Sequence, residues 1–202
     1  SQKGSMAADL INFASEKTLS DILYFFGEER ASRRIAKAIV ARREKELFVT
    51  TTDLAKLIET VLPRSKPGHS HPATRSFQAI RIAVNKEYKE LFDGLFSAEK
   101  VLSSGGYLVL VTFHSIEDRI VKRFIQARTG KLHSTSRYMP GTDDIEAQFT
   151  KITRKAVKPS IDEISINPRS LSSKLRIAKR TNIKPGQSLD LEELNVPIVG
   201  GY

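Results

Sequence analysis

Hydrophobic positions up to residue 101 recur at the spacing of an amphipathic helix. This period, close to 3.6 residues, predicts helices throughout the segment from Ala7 to about Val101. The clearest apolar stripe consists of Leu19, Ile22, Leu23 and Phe26. Gly27 follows this stripe directly, and we expect it to be the residue after the helix end, where glycine is favoured.

A strongly cationic helix is predicted next, from about Glu28 to Glu44. Its apolar residues share one side, and its remaining surface carries Arg30, Arg33, Arg34, Lys37, Arg42 and Arg43. The helix after it is predicted to have its cap at Thr51 or Thr52 and to stop at Pro63.

The helix predicted from about Ala73 has two distinct faces. Its apolar face comprises Phe77, Ile80, Val84, Tyr88 and Leu91. Its polar face comprises Thr74, Gln78, Arg81 and Asn85. These polar groups form directional hydrogen bonds, unlike the flexible Lys and Glu of most solvated faces. The polar face is therefore interpreted either as a binding surface or as a solvated one.

The hydrophobic pattern changes at residue 107. Residues 107–113 have almost no polar side chains, which predicts a strand buried on both faces of a parallel sheet. His114 and Ser115 come next, and Ser115 with Asp118 is predicted to cap a helix. Ligands of open α/β sheets lie beyond the carboxyl ends of the strands, so His114 and Ser115 are candidate catalytic residues. The alternative is a capped helix with a hydrogen-bonded histidine.

The pattern weakens after this helix. Residues 127–148 are predicted to form a long loop. Strands are predicted at 149–157 and 174–179, antiparallel to each other, with a short helix between them that Ser160 and Glu163 cap. The chain then continues as an acidic tail.

Composition bounds the class of protein. With 202 residues and 40% hydrophobic residues, the chain can bury one core or one core plus a smaller helical lobe. It contains no cysteine, which excludes disulfides and thiolate metal sites, and the spacing of its four histidines does not suggest a metal site. Apolar runs are too short to span a membrane, so we expect a cytoplasmic protein.

The charge is concentrated in two segments. The net charge is +10; residues 30–90 contain 14 Lys and Arg against 6 Asp and Glu, and residues 151–180 contain 9 against 2. This distribution predicts a polyanionic partner, most simply a nucleic acid, although a solvated surface is the alternative. Few aromatic residues lie among the basic ones, so base stacking is not indicated.

Four stretches of the chain resemble one family, the bacterial small-subunit rRNA cytosine-N4 methyltransferases (the MraW or RsmH family). They run in family order and cover roughly residues 7–180. The stretches are Gly27-Glu28-Glu29-Arg30 with Ser32-Arg33-Arg34-Ile35-Ala36, His71-Pro72-Ala73-Thr74-Arg75 with Phe77-Gln78-Ala79, Phe113-His114-Ser115 with Glu117-Asp118-Arg119, and Asn167-Pro168-Arg169 with Ser173-Lys174-Leu175-Arg176.

The resemblance implies an α/β fold that is part of a Rossmann-like class I methyltransferase sheet with an inserted helical lobe. The implied activity is methylation of the N4 amine of a cytidine in 16S rRNA of the small ribosomal subunit, with S-adenosylmethionine as cofactor. On this basis residues 7–92 form a helical substrate-recognition lobe, residues 93–180 the C-terminal part of the sheet domain, and residues 181–202 a tail.

One part of the family pattern is missing. The resemblance implies a glycine-rich cofactor turn after the first strand, and no Gly-x-Gly sequence occurs in this chain. We therefore expect the chain to be the C-terminal portion of a longer enzyme, with the S-adenosylmethionine site mainly upstream of residue 1 and no cofactor-binding residue in this chain.

Site residues follow from position and chemistry within this resemblance. His114 and Ser115 are the catalytic candidates, and no metal ligands are expected. The RNA-contact candidates are Arg33, Arg34, Lys66, His71, Arg75, Arg81, Asn85, Arg169 and Arg176. The rival interpretation is a non-enzymatic basic RNA- or ribosome-binding module, and a nuclease built on His114 is a weaker one. The sequence leaves open whether the chain forms a homodimer.

Overall fold

The structure is a computed structural model that describes residues 6–62, 70–130, 147–187, 189–194 and 196–199. The chain divides into two compact units, residues 1–87 with 197–202 and residues 88–196. The first unit is helical in its described residues, and the second combines helices with a small antiparallel sheet.

Five helices build the described part of the first unit. They are α1 (Ala7–Phe13), α2 (Glu16–Gly27), α3 (Ser32–Arg43), α4 (Thr51–Val61) and α5 (Thr74–Asn85). The predicted apolar stripe of α2 is confirmed, since all four of its residues are buried. Further buried side chains come from the other four helices and include Leu10, Ile35, Ile39, Ile58 and Ile82. Burial of each such side chain contributes about 1.5–3 kcal/mol, and this common core holds the helices together.

The predicted helix boundaries need four corrections. Gly27 is the last residue of α2, and Glu28 after it adopts the left-handed conformation, with φ of 50°. The next helix accordingly begins at Ser32 and not near Glu28. Thr50, one residue earlier than predicted, caps α4 by accepting a hydrogen bond from the Asp53 backbone N–H at 3.1 Å. The helix predicted from Ala73 breaks at Lys86, whose φ is 52°.

Gly27 is required by packing, not by its own backbone angles. A Cβ atom at this position would lie 2.6 Å from the Arg75 carbonyl oxygen and 3.0 Å from the Ala79 Cβ, both on α5. The glycine therefore permits the close approach of α2 to α5, two helices with extensive mutual contacts.

Arg43 does not lie on the cationic surface predicted for α3. Its guanidinium is half-buried and donates to the carbonyl oxygens of Ile11 at 2.8 Å and of Ala14 at 2.7 Å. These carbonyls are at the end of α1, where helix carbonyls have no partner within the helix. Arg43 therefore ties α3 to α1 and is not available for a ligand.

The described residues of the second unit form two long helices and several shorter elements. They are α6 (Glu87–Val101, of which residues from Tyr88 on belong to this unit), β1 (Tyr107–Thr112), α7 (Ser115–Arg128), β2 (Phe149–Lys151), α8 (Ile161–Ile166), a 3₁₀ turn (Pro168–Ser172) and β3 (Lys174–Arg180). The strand order is β1-β3-β2 and both pairings are antiparallel. The register runs from Tyr107 opposite Lys179 to Thr112 opposite Lys174.

The sheet differs from the parallel, doubly covered one that the sequence predicts. Leu108 and Thr112 are buried on the face that α7 covers, whereas Tyr107, Val109 and Val111 on the other face are more than half exposed. In the described residues, β1 is an edge strand that pairs with β3 alone.

The predicted antiparallel pairing of the last two strands is confirmed, but the strand predicted at 149–157 is interrupted. Ile152 and Thr153 both donate their backbone N–H to the carbonyl oxygen of Ile177, at 3.1 and 3.2 Å. Two residues opposite one are the mark of a β-bulge, which turns the chain away from β3. Pairing resumes only at the single bridge between Val157 and Leu175.

An aromatic core fills the space between α6, α7 and β2. The rings of Phe92, Phe96, Phe124 and Phe149 contact one another in sequence, with centroid distances of 4.7, 5.3 and 6.1 Å. The guanidinium of Arg128 lies over the Phe96 ring and donates to the Glu99 carboxylate at 2.9 Å, with both side chains almost fully buried.

The segment predicted as a tail is attached to this core. Arg128 also donates to the Gln187 carbonyl oxygen at 2.6 Å, and Glu99 accepts from the Gly186 backbone N–H at 3.0 Å. Leu194 and Val196 are buried. The described residues after β3 therefore form part of the second unit's packing up to Val196.

Asp118 joins α7 to β3 through a buried ion pair. Arg176 donates to its two carboxylate oxygens at 2.6 and 3.0 Å, and Lys174 donates to one of them at 3.3 Å. The predicted capping role of Asp118 is therefore wrong. Burial alone would raise the pKa of Asp118, but the hydrogen bonds and positive charges of Arg176 and Lys174 outweigh it, so this pKa is lowered from its ordinary value.

Replacing Gly27 tests the close packing of α2 on α5. We expect Gly27→Ala to lower the free energy of unfolding by about 1–3 kcal/mol, because the new methyl group meets a backbone oxygen that cannot rotate away. Gly94→Ala is the matched control: no atom lies within 4 Å of the new methyl group, and a gain of about 0.5–1 kcal/mol is expected in this helix. Urea unfolding followed by circular dichroism measures both, and equal effects of the two changes would contradict the packing argument.

The buried ion pair predicts a specific dependence of stability on pH. A lowered carboxyl pKa stabilises the fold above the unfolded-state value of about 3.9, and this contribution is lost as the pH falls through the folded-state value. We expect Asp118→Asn to cost about 3–5 kcal/mol at pH 7, because two cations lose their partner, and to cost less at pH 3, which is below the unfolded-state pKa.

Urea unfolding of the wild type and of Asp118→Asn at the two pH values measures this difference. Glu192→Gln is the control, because Glu192 is exposed. A cost of Asp118→Asn that is the same at pH 7 and pH 3 would show that the pair does not stabilise the fold through charge.

Candidate active site

A cavity of about 400 Å³ opens at the carboxyl end of β1, where the sequence predicts the catalytic residues. Its apolar lining includes Phe113, Ile164 and Leu171. Its polar lining comprises His114, Ser115, Lys158, Ser172, Ser173 and Lys174. The structure thus brings His114 and Ser115 together with a second segment, residues 158–174, that sequence reasoning did not connect to them.

Local hydrogen bonds fix the shape of this second segment. The backbones of Val157 and Leu175 exchange two hydrogen bonds of 2.9 Å, which hold Lys158 beside the start of β3. The Ser160 hydroxyl accepts from the Glu163 backbone N–H at 3.1 Å and caps α8, as predicted. The Ser170 hydroxyl donates to the Asn167 carbonyl oxygen at 2.8 Å. These hydrogen bonds therefore hold the segment that forms the cavity wall.

His114 caps α7. Its Nδ1 accepts from the Glu117 backbone N–H at 3.4 Å, and a Glu117 carboxylate oxygen accepts from the Phe113 backbone N–H at 2.9 Å. The prediction that Ser115 is the cap is wrong by one residue, since Ser115 is the first residue of α7. Burial alone would raise the pKa of Glu117, but the His114 imidazole and the Phe113 N–H lower it by a larger amount. The pKa of Glu117 is therefore below its ordinary value.

The second ring nitrogen of His114 has an unusual environment. Nε2 is buried and lies 3.1 Å from a Glu117 carboxylate oxygen, but it is not aligned for a hydrogen bond with any acceptor among the described residues. Because Nδ1 accepts a hydrogen bond, the neutral ring carries its proton on Nε2. This arrangement agrees with the capped helix of the alternative stated above but not with a fully hydrogen-bonded histidine, because Nε2 has no hydrogen-bond partner among the described residues. In this tautomer neither ring nitrogen offers a free lone pair to a ligand.

The electrostatic character of the cavity comes from its lysines. Lys158 has no ion-pair partner in the described part of the chain, and Lys174 shares the Asp118 carboxylate with Arg176. The lining contains two lysines, three serine hydroxyls and no carboxylate. Such a lining suits an anionic group such as a phosphate, and it contains no carboxylate that would act as a general base.

The predicted RNA contacts of the first unit lie in different settings. Arg33 and Arg34 are exposed on α3 and line a cavity of about 560 Å³. Lys66 lies outside the described residues. His71 is exposed, and its Nε2 lies 2.6 Å from a Glu59 carboxylate oxygen.

Two residues of the polar face predicted for α5 bind one carboxylate that lies just beyond the end of this helix. Arg81 donates twice to the Glu87 carboxylate, at 2.8 and 3.0 Å, and Asn85 donates to the same group at 3.2 Å. Arg75 lies at the other end of α5 and contacts the Glu28 carbonyl oxygen at 3.5 Å. These three side chains are exposed, but Arg81 and Asn85 already have a carboxylate partner.

The two predicted contacts of the second unit differ from each other. Arg169 is exposed in the 3₁₀ turn beside the cavity-lining segment. Arg176 is buried, and its guanidinium is engaged by Asp118. The position of Arg176 therefore does not favour contact with RNA, and its role in this structure is to hold α7 on the sheet.

Sequence reasoning missed two aromatic residues and one lysine. Tyr24 and Phe25 line the same cavity as Arg33 and Arg34, and both are largely exposed. A signal for them is present in the sequence, because they fall between the stripe residues of α2 and therefore on its outer side. Lys158 has no comparable signal, because only the bridge between Val157 and Leu175 places it at the cavity.

Two further features are absent from the described residues. These residues contain no cluster of three or more His, Asp or Glu side chains with the arrangement of a metal site. None of their helices combines the length and the apolar character that crossing a membrane requires.

Comparison with known proteins points to one family. Residues 1–181 match the family model described as the MraW methylase family. A ribosomal RNA small subunit methyltransferase H of Ruegeria sp. is 56% identical over 197 residues, which are 98% of this chain and 60% of that protein. The proteins of the same name from Jannaschia sp. and Dinoroseobacter shibae are 53% and 50% identical over 201 and 196 residues, which are 100% and 97% of this chain and 61% and 59% of theirs.

These matches agree with the resemblance noted in the sequence and extend it to most of the chain. The chain spans about 60% of the length of the relatives that it matches. Because the family model covers residues 1–181 of the 202, the chain belongs to the MraW methylase family.

Proposed function

We propose that the complete protein transfers a methyl group from S-adenosylmethionine to the exocyclic N4 amine of a cytidine in 16S rRNA of the small ribosomal subunit. The match to the MraW methylase family over residues 1–181 carries this proposal. Relatives named ribosomal RNA small subunit methyltransferase H support the choice of substrate. Since the chain spans about 60% of their length, the proposal concerns the whole protein, which we expect to act in the cytoplasm.

In this proposal the three-stranded sheet is part of a larger, Rossmann-like sheet. Two features of β1 support it: the apolar face that α7 does not cover, and the edge that pairs with no strand among the described residues. Proteins normally cover such surfaces. The exposed apolar side chains of this unit include Tyr107, Val109, Val111, Ile152 and Val157. We infer that the part of the relatives' length that this chain does not match supplies strands beside β1 and a layer over this face.

The cofactor would supply the methyl group, but the described residues do not fit it. Nucleotide cofactors on Rossmann-like sheets are held by a glycine-rich turn and by an acidic side chain on the ribose. The cavity at the end of β1 has neither, since its charged residues are lysines. We therefore propose, as the family resemblance implies, that the cofactor site lies mainly in the part of the protein that precedes residue 1.

The residues at the end of β1 have distinct proposed roles toward the RNA. Lys158 and Lys174 would hold a phosphate near the cavity, which positions a strand without specifying a base. The target base must leave its stack to be reached, and Ser115 is the proposed contact to the reacting nucleotide. His114 is proposed to act by fixing the start of α7, since its Nδ1 is occupied by the cap. Proximity and alignment would then supply most of the rate.

Methyl transfer tests the proposed function directly. We expect the protein extended upstream of Ser1, as its gene encodes it, to transfer label from S-adenosylmethionine to small ribosomal subunits. Nucleoside analysis of the 16S rRNA should recover the label as N4-methylated cytidine. No transfer, together with RNA binding that weakens with salt, would contradict the proposal and favour a non-enzymatic RNA-binding module.

Two substitutions separate the capping role of His114 from a direct chemical role. Asn is a good N-cap residue, so we expect His114→Asn to retain kcat within about threefold, whereas His114→Ala loses the cap at a cost of about 1 kcal/mol in stability and a larger loss of kcat. Single-turnover methylation and thermal unfolding of the extended protein measure both effects. A fall in kcat of about 100-fold or more in a stably folded His114→Asn would show that the imidazole itself takes part.

A further inference from the structure

Two aromatic rings are exposed on the outer side of α2. Tyr24 is 54% exposed and Phe25 is 44% exposed, and their ring centroids lie 5.1 Å apart at an interplanar angle of 80°. Both line the cavity of about 560 Å³ between α2 and the start of α3. Large apolar side chains are not needed on this side for folding, because the buried stripe of α2 lies on the other side.

Three arginines share the cavity with these rings. Arg30, Arg33 and Arg34 line the same cavity and are exposed, and none has an ion-pair partner among the described residues. Asp21, which also lines the cavity, is bound to Lys17 at 2.8 Å. The cavity therefore combines exposed ring faces with an excess of guanidinium groups, which bind phosphate in a bidentate manner and stack on planar groups.

The local backbone holds this arrangement in place. A Glu29 carboxylate oxygen accepts from the Ala31 backbone N–H at 2.9 Å, and the Ser32 backbone N–H donates to the Glu29 carbonyl oxygen at 3.2 Å. Glu29 is itself buried. Together with the tight packing of Gly27 on α5, these contacts fix where α3 starts relative to α2. A rigid cavity loses little conformational entropy when a ligand binds.

We propose that this cavity binds single-stranded RNA, with one unstacked base stacked on one ring of the perpendicular pair Tyr24 and Phe25 and the flanking phosphates on Arg30, Arg33 and Arg34. The site rests on the proposed function in one respect, namely that the polyanion is RNA. Charge complementarity and stacking argue for this occupant, because aromatic rings beside cations are the general means of binding single strands without reading sequence. An acidic peptide would use the arginines but would leave the ring pair without a partner.

The test compares base-dependent and charge-dependent parts of binding. Fluorescence anisotropy with a labelled oligoribonucleotide would measure the affinity of the full 202-residue chain at several salt concentrations. We expect Tyr24→Ala and Phe25→Ala each to weaken binding about 5- to 150-fold without changing the salt dependence. Arg33→Ala should instead reduce the slope of log affinity against log salt by about 0.7.

Matched controls are available in the same unit. Phe13 is 71% exposed and lies outside the cavity, so Phe13→Ala should leave the affinity unchanged. Lys56 is exposed on α4, so Lys56→Ala is the control for the loss of one positive charge and should likewise leave the affinity unchanged. Tyr24→Phe should retain the affinity, which separates loss of stacking from loss of folding, and thermal unfolding of each variant checks the fold.

An oligonucleotide with abasic positions completes the test. The wild type should bind it more weakly than the intact strand, and Tyr24→Ala should no longer distinguish the two. Equal binding of intact and abasic strands by the wild type, or equal effects of Phe13→Ala and Phe25→Ala, would overturn the proposal and leave a charged surface only. Binding of polyglutamate that shows the same loss in Tyr24→Ala would overturn it in favour of a protein partner.

Failure of this site and failure of the proposed function give different results. The binding assay contains no cofactor, so stacking on Tyr24 and Phe25 would stand even where no methyl transfer is found. The converse result is methyl transfer by the extended protein while Tyr24→Ala and Phe25→Ala leave the RNA affinity unchanged. That result would contradict the RNA site proposed here and leave the proposed function standing.

Discussion

The Asp118 carboxylate fixes the part of the second unit on which the candidate site depends. It accepts two hydrogen bonds from Arg176 on β3 and one from Lys174, and it lies in the first turn of α7. Since His114 and Ser115 stand at the start of that helix, their positions relative to β3 follow from this pair. A buried carboxylate between two cations also cannot move alone, because any shift would leave charges without a partner at a cost of several kcal/mol.

The same pair decides how α7 begins. The sequence predicts a capping box from Ser115 to Asp118. In the structure Asp118 is engaged by Arg176, 58 residues further along the chain, and His114 and Glu117 form the cap instead. A local pattern cannot predict this outcome, because the deciding contact is long-range.

Much of the fold could be predicted because it depends on local periodicity. The helices up to Val101, the strand from Tyr107 and the cap at Ser160 all follow from the spacing of neighbouring residues. Three features could not be predicted in this way. The close approach at Gly27, the bulge opposite Ile177 and the position of Lys158 each depend on a partner distant in sequence. In the candidate site, the sequence therefore predicts the end of β1 but not the cavity wall that faces it.

Charge in the sequence overstates the surface that can bind RNA, because arginine has two different roles in this chain. Arg128, Arg176 and Arg180 are buried and hold carboxylates, carbonyls or rings of the second unit. Part of the positive charge of the basic segment 151–180 is therefore buried inside the fold. On the first unit, in contrast, Arg30, Arg33 and Arg34 are exposed, have no ion-pair partner among the described residues and line the same cavity as Tyr24 and Phe25. A buried guanidinium that is paired with Asp or Glu has its hydrogen-bond donors satisfied. An exposed guanidinium in the cavity of Tyr24 and Phe25 can still bind phosphate. The ion-pair partners of the arginines, more than the net charge, therefore decide where an RNA-binding surface is proposed, namely on α2 and α3 of the helical unit.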